Sequence, residues 1–178
     1  RSTARGGDLF RGRLKALETV RDWLTSREAP GRVLVVTGQP GAGKSALVAR
    51  VALGLEDDRV GPGLAFHAHD ATHSKVLWAL ADLISDDGDS RDALLAAISE
   101  DADSREALLA AIRTKPGRHW IVIVDALDES RTALDRRETA VTLRKLAELP
   151  QVRVVVASRP MAVGRYVHGE LLPSFSEL

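Results

Sequence analysis

A length of 178 residues with 44% hydrophobic content is enough for one compact domain with a sizeable core, and we expect no second full domain beside it. The 25 basic and 25 acidic side chains cancel, which excludes an overall positive charge that would attract nucleic acid or an anionic membrane. The sequence contains no cysteine, which excludes disulfides and thiolate chemistry, and no apolar run approaches the roughly 20 residues of a membrane helix, so we expect a cytoplasmic protein.

Residues 1–31 are predicted to form a segment and a helix that flank the candidate ligand site, and residues 32–178 the main domain. The first residue is Arg1 and not Met, so we expect the chain to be a piece of a longer protein. Four apolar residues at helical spacing predict an amphipathic helix: Leu14, Leu17, Val20 and Leu24. The Pro30-Gly31 pair ends this helix, which we expect to pack on the edge of the domain.

Three runs dense in β-branched and aliphatic residues predict central strands at 32–37 (RVLVVT), 119–125 (HWIVIVD) and 151–157 (QVRVVVA). Continuous apolar runs of this kind are typical of a parallel sheet that is covered on both faces. A weaker strand is predicted at 63–69 (GLAFHAH), and a last short one near 170–178.

Between the strands, apolar residues recur at helical spacing and predict three helices. The first begins at a glycine-rich turn and ends near Gly54, the second contains Val76 to Ile84, and the third is stopped by Pro150. Strands that alternate with helices predict right-handed crossovers and a three-layer α/β fold.

A short internal repeat predicts a helical insert at about residues 86–114. The run DSRDALLAAI at 89–98 returns as DSREALLAAI at 103–112. Each copy begins with an Asp that fits an N-cap and has an acidic residue three positions later, so each predicts a short capped helix. We interpret the insert as helices that pack on the sheet, and a partner-binding hairpin is the alternative.

The segment GQPGAGKS after the first strand is a complete phosphate-binding motif of the form G-x-x-x-x-G-K-[ST]. Its glycines permit positive φ, so that successive N–H groups can surround a β-phosphate, and the following helix adds the positive end of its dipole. Lys44 is expected to bridge the β- and γ-phosphates, and the Ser45 hydroxyl to bind Mg²⁺. A glycine-rich turn that binds nothing is the alternative. The residues expected to bind nucleotide are Gly38, Gln39, Pro40, Gly41, Ala42, Gly43, Lys44, Ser45 and Ala46.

The strand at 119–125 ends in Asp125, which is expected to hold Mg²⁺ opposite Ser45. Asp128 and Glu129 follow, and one of them is expected to orient and deprotonate the attacking water. We prefer Glu129 as the base and keep Asp128 as the second candidate. Surface charge at a strand-to-helix turn is the alternative for both.

Arg159 follows the strand at 151–157 directly. Ligands of open α/β sheets lie beyond the carboxyl ends of the strands, so this side chain is aimed at the nucleotide if its strand lies between the other two. Arg159 would then contact the γ-phosphate in ATP and lose that contact in ADP. A surface arginine is the alternative.

Weaker signals point to no second site. His67 and His69 alternate on a predicted strand with Asp70 and His73 nearby, and we interpret them as strand-end residues, with a metal site as the alternative. The three tryptophans are interpreted as packing residues and not as a base-stacking platform. A group of basic residues is interpreted as a solvated helix face with no clear nucleic-acid site, although an inter-subunit arginine remains open: Arg131, Arg136, Arg137, Arg144 and Lys145.

Four segments follow one another in chain order: FRGR at 10–13, GQPGAGKS, IVIVDALDES and VVVASRP. In these segments the sequence resembles the STAND class of signal-transduction ATPases, especially its NACHT-type branch. The most distinctive feature is the D-A-L-D-E spacing, because ordinary AAA+ proteins have the catalytic glutamate where this chain has Ala126. The resemblance implies a P-loop NTPase of the ASCE type, with a five-stranded parallel sheet in the order 5-1-4-3-2 and Arg159 in the sensor position. It also implies that four residues lie against the adenine: Phe10, Arg11, Gly12 and Arg13. The acidic residue that the family usually has after the Gly-Arg pair is absent, since Lys15 and Ala16 follow Leu14.

The function implied by the resemblance is a switch that binds ATP or ADP with Mg²⁺ and hydrolyses ATP slowly, coupled to conformational change or homo-oligomerisation. Family members continue into a helical lid, a winged-helix domain and sensor repeats, so we expect these as partner domains in a longer protein. The excess of Arg over Lys suggests a bacterial source. Two alternatives stay open: a nucleotide-stabilised scaffold with little hydrolysis, and a P-loop kinase for a small acceptor, for which no segment supplies a recognisable lid.

Overall fold

The computed structural model describes residues 14–26, 31–58, 63–85, 88–100 and 104–159. These residues form four strands, six helices and one 3₁₀ turn, with loops between them. In chain order they are α1 (Leu14–Thr25), β1 (Val33–Thr37), α2 (Lys44–Asp58), β2 (Gly63–His67), α3 (His73–Ile84), α4 (Gly88–Glu100), α5 (Ser104–Arg113), β3 (Trp120–Asp125), the 3₁₀ turn (Leu127–Glu129), α6 (Ala133–Ala147) and β4 (Val152–Ser158).

The strands form one parallel sheet in the order β1-β4-β3-β2. Every residue of β4 is buried, and β1 and β3 are buried except at their last residue, whereas β2 alternates between exposed and half-buried positions. The prediction of an α/β fold with a parallel sheet is therefore confirmed, and β4 lies between β1 and β3 as the Arg159 argument required. The fifth strand, predicted near 170–178, lies outside the described residues.

Two hydrophobic clusters on opposite faces of the sheet give the three layers. Alternate residues of each central strand face opposite clusters, as Val154 and Val155 of β4 do. Helices α3, α5 and α6 cover the first face, and α1 and α2 cover the second. Burial of one valine or leucine side chain stabilises the fold by about 1.5–3 kcal/mol, so this double coverage explains why the runs are continuously apolar.

Two threonine side chains fix where helices begin. The Thr72 hydroxyl accepts a hydrogen bond from the backbone N–H of Lys75 at the start of α3, and the Thr132 hydroxyl accepts one from Asp135 at the start of α6. Each satisfies a backbone donor that has no partner inside the helix. Both helices therefore begin directly after the loops that leave β2 and β3.

Several predicted boundaries were wrong. α2 continues through Gly54 to Asp58, because its buried face, which includes Leu55, extends past the glycine. The repeat forms two helices, but α4 begins at Gly88, so Asp89 lies inside the first turn and does not precede it. These helices pack on each other and on α3, α5 also packs on α6, and α4 and α5 both add buried residues to the cluster on the first face of the sheet. β2 ends at His67, so His69 lies in the turn that follows.

The three tryptophans differ in their surroundings. Trp23 on α1 is partly buried against the second cluster, which agrees with a packing role. Trp120 is 1% exposed in the core, as a packing residue should be. Trp78 on α3 is 51% exposed, so its interpretation as a packing residue was wrong. No helix within the described ranges is long and apolar enough to cross a membrane.

Candidate functional site

The candidate site lies at one edge of the sheet. All four strands are parallel, so their carboxyl ends meet there. The glycine-rich loop leaves β1 at this edge, Asp125 ends β3, His67 ends β2, and Arg159 follows β4. The fold therefore gathers the predicted phosphate loop, the predicted metal ligand and the predicted γ-phosphate sensor at a single edge.

The glycine-rich loop has the backbone conformation that its composition predicts. Gly41 and Gly43 have φ of 74° and 77°, a region that L-residues with a side chain rarely adopt. A Cβ added to Gly38 would lie 3.2 Å from the Cβ of Ala42, so close packing inside the loop disfavours a side chain there. The Nζ of Lys44 donates to the carbonyl oxygens of Gly38 and Gln39, at 2.8 and 3.3 Å.

Ser45 and Asp125 line the same cavity, which has a volume of about 160 Å³ and lies between α2 and the strands β2 and β3. The carboxylate of Asp125 accepts a hydrogen bond from the backbone N–H of Ala126 at 2.9 Å, and its other oxygen lies 3.2 Å from Nδ1 of His67. A hydroxyl and a carboxylate that face one cavity are the hard oxygen ligands that Mg²⁺ prefers. These two residues therefore fit a magnesium ion.

Asp128 is held on both oxygens. One oxygen accepts hydrogen bonds from the Ser158 hydroxyl and from the backbone N–H of Arg159, each at 3.1 Å. The other lies 3.1 Å from Nε of Arg159, and the side chain is only 7% exposed. Asp128 thus ties the 3₁₀ turn to the end of β4, and this arrangement favours Glu129 over Asp128 as the candidate base.

Glu129 is more accessible, with 36% of its side chain exposed, and it also has two partners. Nδ1 of His69 lies 3.0 Å from Oε2, and Nη2 of Arg159 lies 2.8 Å from Oε1. The hydrogen bond from His69 holds the pKa of Glu129 below its usual value, and the hydrogen bond and charge of Arg159 act in the same direction, while burial opposes them. Both contacts stabilise the ionised carboxylate.

Ala126 explains how the D-A-L-D-E spacing brings two acidic residues back to the sheet edge. Its φ of 55° and ψ of 40° place it in the left-handed region, between the end of β3 and the 3₁₀ turn. The 3₁₀ turn that follows carries Asp128 and Glu129 towards β4 and β2. The spacing is therefore matched by a specific local conformation.

The partners of the three carboxylates were not predicted from the sequence. His67 contacts Asp125, His69 contacts Glu129, and Ser158 contacts Asp128. The available signal was the pair of alternating histidines at a strand end. His73, by contrast, is directed elsewhere, since its Nε2 lies 2.9 Å from the Thr142 hydroxyl.

The remaining predicted groups have the following places. Within the described part of the chain, no three His, Asp or Glu side chains could hold a metal ion together, so the histidine metal site has no support there. Of the basic group, Arg131 lies 3.5 Å from Asp70, and Arg136 donates to the carbonyl oxygen of Asp128. The four residues from Phe10 to Arg13, expected at the adenine, lie outside the described residues.

Comparison with known proteins gives a family and a fold. The profile of the protein family described as "Nephrocystin 3, N-terminal" matches residues 14–159. A chain in a structure of Drosophila ORC bound to DNA is 14% identical, with a TM-score of 0.56, and the match covers 86% of this chain and 40% of that chain. A chain in a structure of Drosophila ORC bound to GC-rich DNA and Cdc6 is also 14% identical, with a TM-score of 0.55 and coverage of 93% and 57%.

The chain therefore spans only about half the length of these solved chains, and at this identity the similarity shows the fold alone, an α/β fold built on a parallel sheet. No curated protein sequence matches the chain significantly.

Proposed function

The chain belongs to the Nephrocystin 3 N-terminal family, and from this premise we propose that it binds ATP or ADP with Mg²⁺ and hydrolyses ATP slowly as a molecular switch. The observation that carries the proposal is the shared cavity of Ser45 and Asp125 beside a complete phosphate-binding loop. In P-loop NTPases a hydroxyl and a carboxylate hold the metal beside the phosphates in this way.

Each residue then has one task. The backbone N–H groups of residues 38–46, except Pro40, which has none, surround the β-phosphate, and Lys44 bridges the β- and γ-phosphates. Ser45 and Asp125 hold Mg²⁺, which when bound neutralises charge on the phosphate oxygens. Glu129 takes a proton from the attacking water while the oxygen of that water bonds to the γ-phosphorus. The bond between the γ-phosphorus and the β–γ bridging oxygen breaks, and ADP leaves with that electron pair.

The switch itself is proposed to depend on Arg159. Its guanidinium contacts Asp128 and Glu129 at 3.1 and 2.8 Å while 51% of its side chain remains exposed. A γ-phosphate would offer the same guanidinium a stronger anionic partner, and ADP would not. Arg159 would therefore contact the γ-phosphate when ATP is bound and the carboxylates of Asp128 and Glu129 when ADP is bound. The conformation at the end of β4 would thus differ between the ATP-bound and ADP-bound states.

The wider assignment follows the resemblance to STAND and NACHT-type ATPases. Under it, Phe10, Arg11, Gly12 and Arg13 lie against the adenine, and a lid, a winged-helix domain and sensor repeats are the partner domains of the parent protein. The single unit of residues 32–178, with its helical insert at about 86–114, serves as the motor. Nucleotide-dependent homo-oligomerisation of a bacterial signalling protein is the proposed output.

One observation favours the second candidate, a nucleotide-stabilised scaffold. Because both oxygens of Glu129 are engaged and its pKa is lowered, this carboxylate is a weak base in the arrangement seen here. A protein that never releases Glu129 would bind nucleotide without cleaving it.

Phosphate release under single-turnover conditions separates the two candidates. The switch predicts that wild type releases phosphate from ATP and that Glu129→Gln releases it at least about 100-fold more slowly with unchanged ATP affinity. Glu148→Gln, on the exposed end of α6, is the matched control and should behave as wild type. Equal and negligible release by wild type and Glu129→Gln would reject the enzyme and favour the scaffold.

A further inference from the structure

The turn after β2 is fixed against the turn after β3 by backbone hydrogen bonds. The N–H of Ala68 donates to the carbonyl oxygen of Asp125 at 2.8 Å, and the N–H of Asp70 donates to that of Glu129 at 2.9 Å. In the opposite direction, the N–H of Arg131 donates to the carbonyl oxygen of Ala71 at 3.0 Å. These bonds flank Glu129, so the backbone that carries His69 has a fixed position beside it.

Glu129 is then held by donors from two different strand ends. His69, after β2, reaches Oε2 at 3.0 Å, and Arg159, after β4, reaches Oε1 at 2.8 Å. An ionised carboxylate only accepts hydrogen bonds, so the proton of the His69 ring must lie on Nδ1. The bond therefore fixes both the tautomer of His69 and the rotation of the carboxylate.

A second imidazole restrains the first. The rings of His67 and His69 are stacked, with centroids 6.1 Å apart and planes 24° from parallel. His67 is itself tied to Asp125 by a 3.2 Å contact. Although 66% of the His69 side chain is exposed, the stack and the bond to Glu129 limit its rotation.

We propose that His69 is a positioning residue for Glu129: it keeps hold of Oε2 when Arg159 leaves Oε1 for the γ-phosphate, so that Oε1 faces the attacking water. The inference rests on the proposed ATP hydrolysis and adds to it a residue that touches neither nucleotide nor metal. Without His69, release by Arg159 would leave the carboxylate free to rotate, and a misplaced base transfers protons poorly.

Three chains test the inference: wild type, His69→Ala and His69→Asn. The side-chain amide nitrogen of Asn can occupy nearly the position of Nδ1 and donate the same hydrogen bond, whereas Ala cannot. We expect His69→Ala to lower kcat about 10- to 100-fold with KM within about two-fold of wild type, and His69→Asn to recover most of the loss. His119→Ala, before the start of β3 at the opposite end of the sheet, is the control and should leave kcat unchanged.

A second readout does not depend on hydrolysis. In the nucleotide-free chain, an NMR titration of the Glu129 carboxyl should give a pKa below the usual value in wild type, a higher one in His69→Ala, and a lowered one again in His69→Asn. Arg159, the other hydrogen-bond donor at this carboxylate, is unchanged in all three chains. Because His69 is largely exposed, the variants should fold, which thermal melting and ATP affinity verify.

The outcomes separate this inference from the function on which it rests. Two results would overturn the positioning role alone. One is that His69→Ala hydrolyses ATP as fast as wild type, and the other is that His69→Asn is as slow as His69→Ala. A wild type that shows no hydrolysis above Glu129→Gln would overturn both. A kcat loss restored by Asn, together with the matching pKa changes, supports both.

Discussion

The ammonium of Lys44 lies 2.8 Å from the carbonyl oxygen of Gly38, the first residue of its own loop. A second carbonyl oxygen, that of Gln39, lies 3.3 Å away. The glycine-rich loop therefore holds the ammonium of Lys44 against its own backbone. A polyphosphate that enters the loop would contact both this ammonium and the backbone N–H groups.

Lys44→Ala removes that cation and should abolish ATP binding or nearly so. Loss of charge-assisted contacts to two phosphate oxygens is worth about 3 kcal/mol, so affinity should fall at least about 100-fold. Isothermal titration calorimetry with ATP and Mg²⁺ measures the change, with Lys75→Ala on the exposed face of α3 as the matched control. Unchanged affinity in Lys44→Ala would overturn the site assignment.

Asp125→Asn should mainly harm the steps that depend on magnesium. The substitution keeps the size of the side chain but removes the charge that a hard cation prefers. ATP binding without Mg²⁺ should stay within about two-fold of wild type, while the Mg²⁺ concentration for half-maximal phosphate release rises about ten-fold or more. A magnesium titration that superimposes on wild type would argue against Asp125 as a ligand.

Asp128→Ala should act on stability. Its carboxylate accepts from the buried Ser158 hydroxyl and the backbone N–H of Arg159, and both donors would lose this acceptor. Removal of the acceptor from the buried Ser158 hydroxyl costs about 1–3 kcal/mol, which urea unfolding measures. Glu148→Ala, at an exposed ion pair with Arg144, should cost no more than about 0.5 kcal/mol. Equal losses in the two variants would contradict a structural role for Asp128.

His73 should make stability fall on mild acidification. Burial lowers its pKa, the charge of Arg105 lowers it further, and Glu138 and Asp135 oppose them. The unfolded chain takes up this proton near pH 6.5 and the folded chain only at lower pH, so the stability contributed by neutral His73 is complete above that pH and is lost below it.

Urea unfolding at about pH 7.5 and about pH 5.5, in wild type and His73→Gln, isolates this contribution, because the other titrating groups are common to both chains. Wild type should lose more free energy of unfolding than His73→Gln over this range. Identical losses would show that His73 does not titrate as its burial predicts.

The sequence predicted the central sheet well because its signals are local and redundant. The runs of β1, β3 and β4 are continuously apolar, and such runs fit only a sheet covered on both faces. The glycine-rich motif likewise predicts its own backbone conformation, because Gly41 and Gly43 adopt the positive φ that a phosphate-binding loop requires. The order of the described strands, β1-β4-β3-β2, also agrees with the last four strands of the order 5-1-4-3-2 that the resemblance to STAND ATPases implies.

The partners of the carboxylates were not predictable in the same way. The turns that carry His69 and Glu129 contain Asp70 and Ala126, which adopt positive φ of 50° and 55°. Neither is a glycine, so these conformations had no signal in the sequence. The end of α2 was also missed, because tertiary burial of Leu55 outweighs the low helix propensity of Gly54. Such features depend on contacts between distant segments.

A crystal structure of the chain with Mg²⁺ and a non-hydrolysable ATP analogue tests the central claim most directly. We predict a metal ion about 2.0–2.1 Å from the Ser45 hydroxyl, with the Asp125 carboxylate bound to the same ion directly or through one water. Lys44 should then contact the β- and γ-phosphates within the loop. A nucleotide bound elsewhere, or a metal ion held by neither Ser45 nor Asp125, would contradict the account.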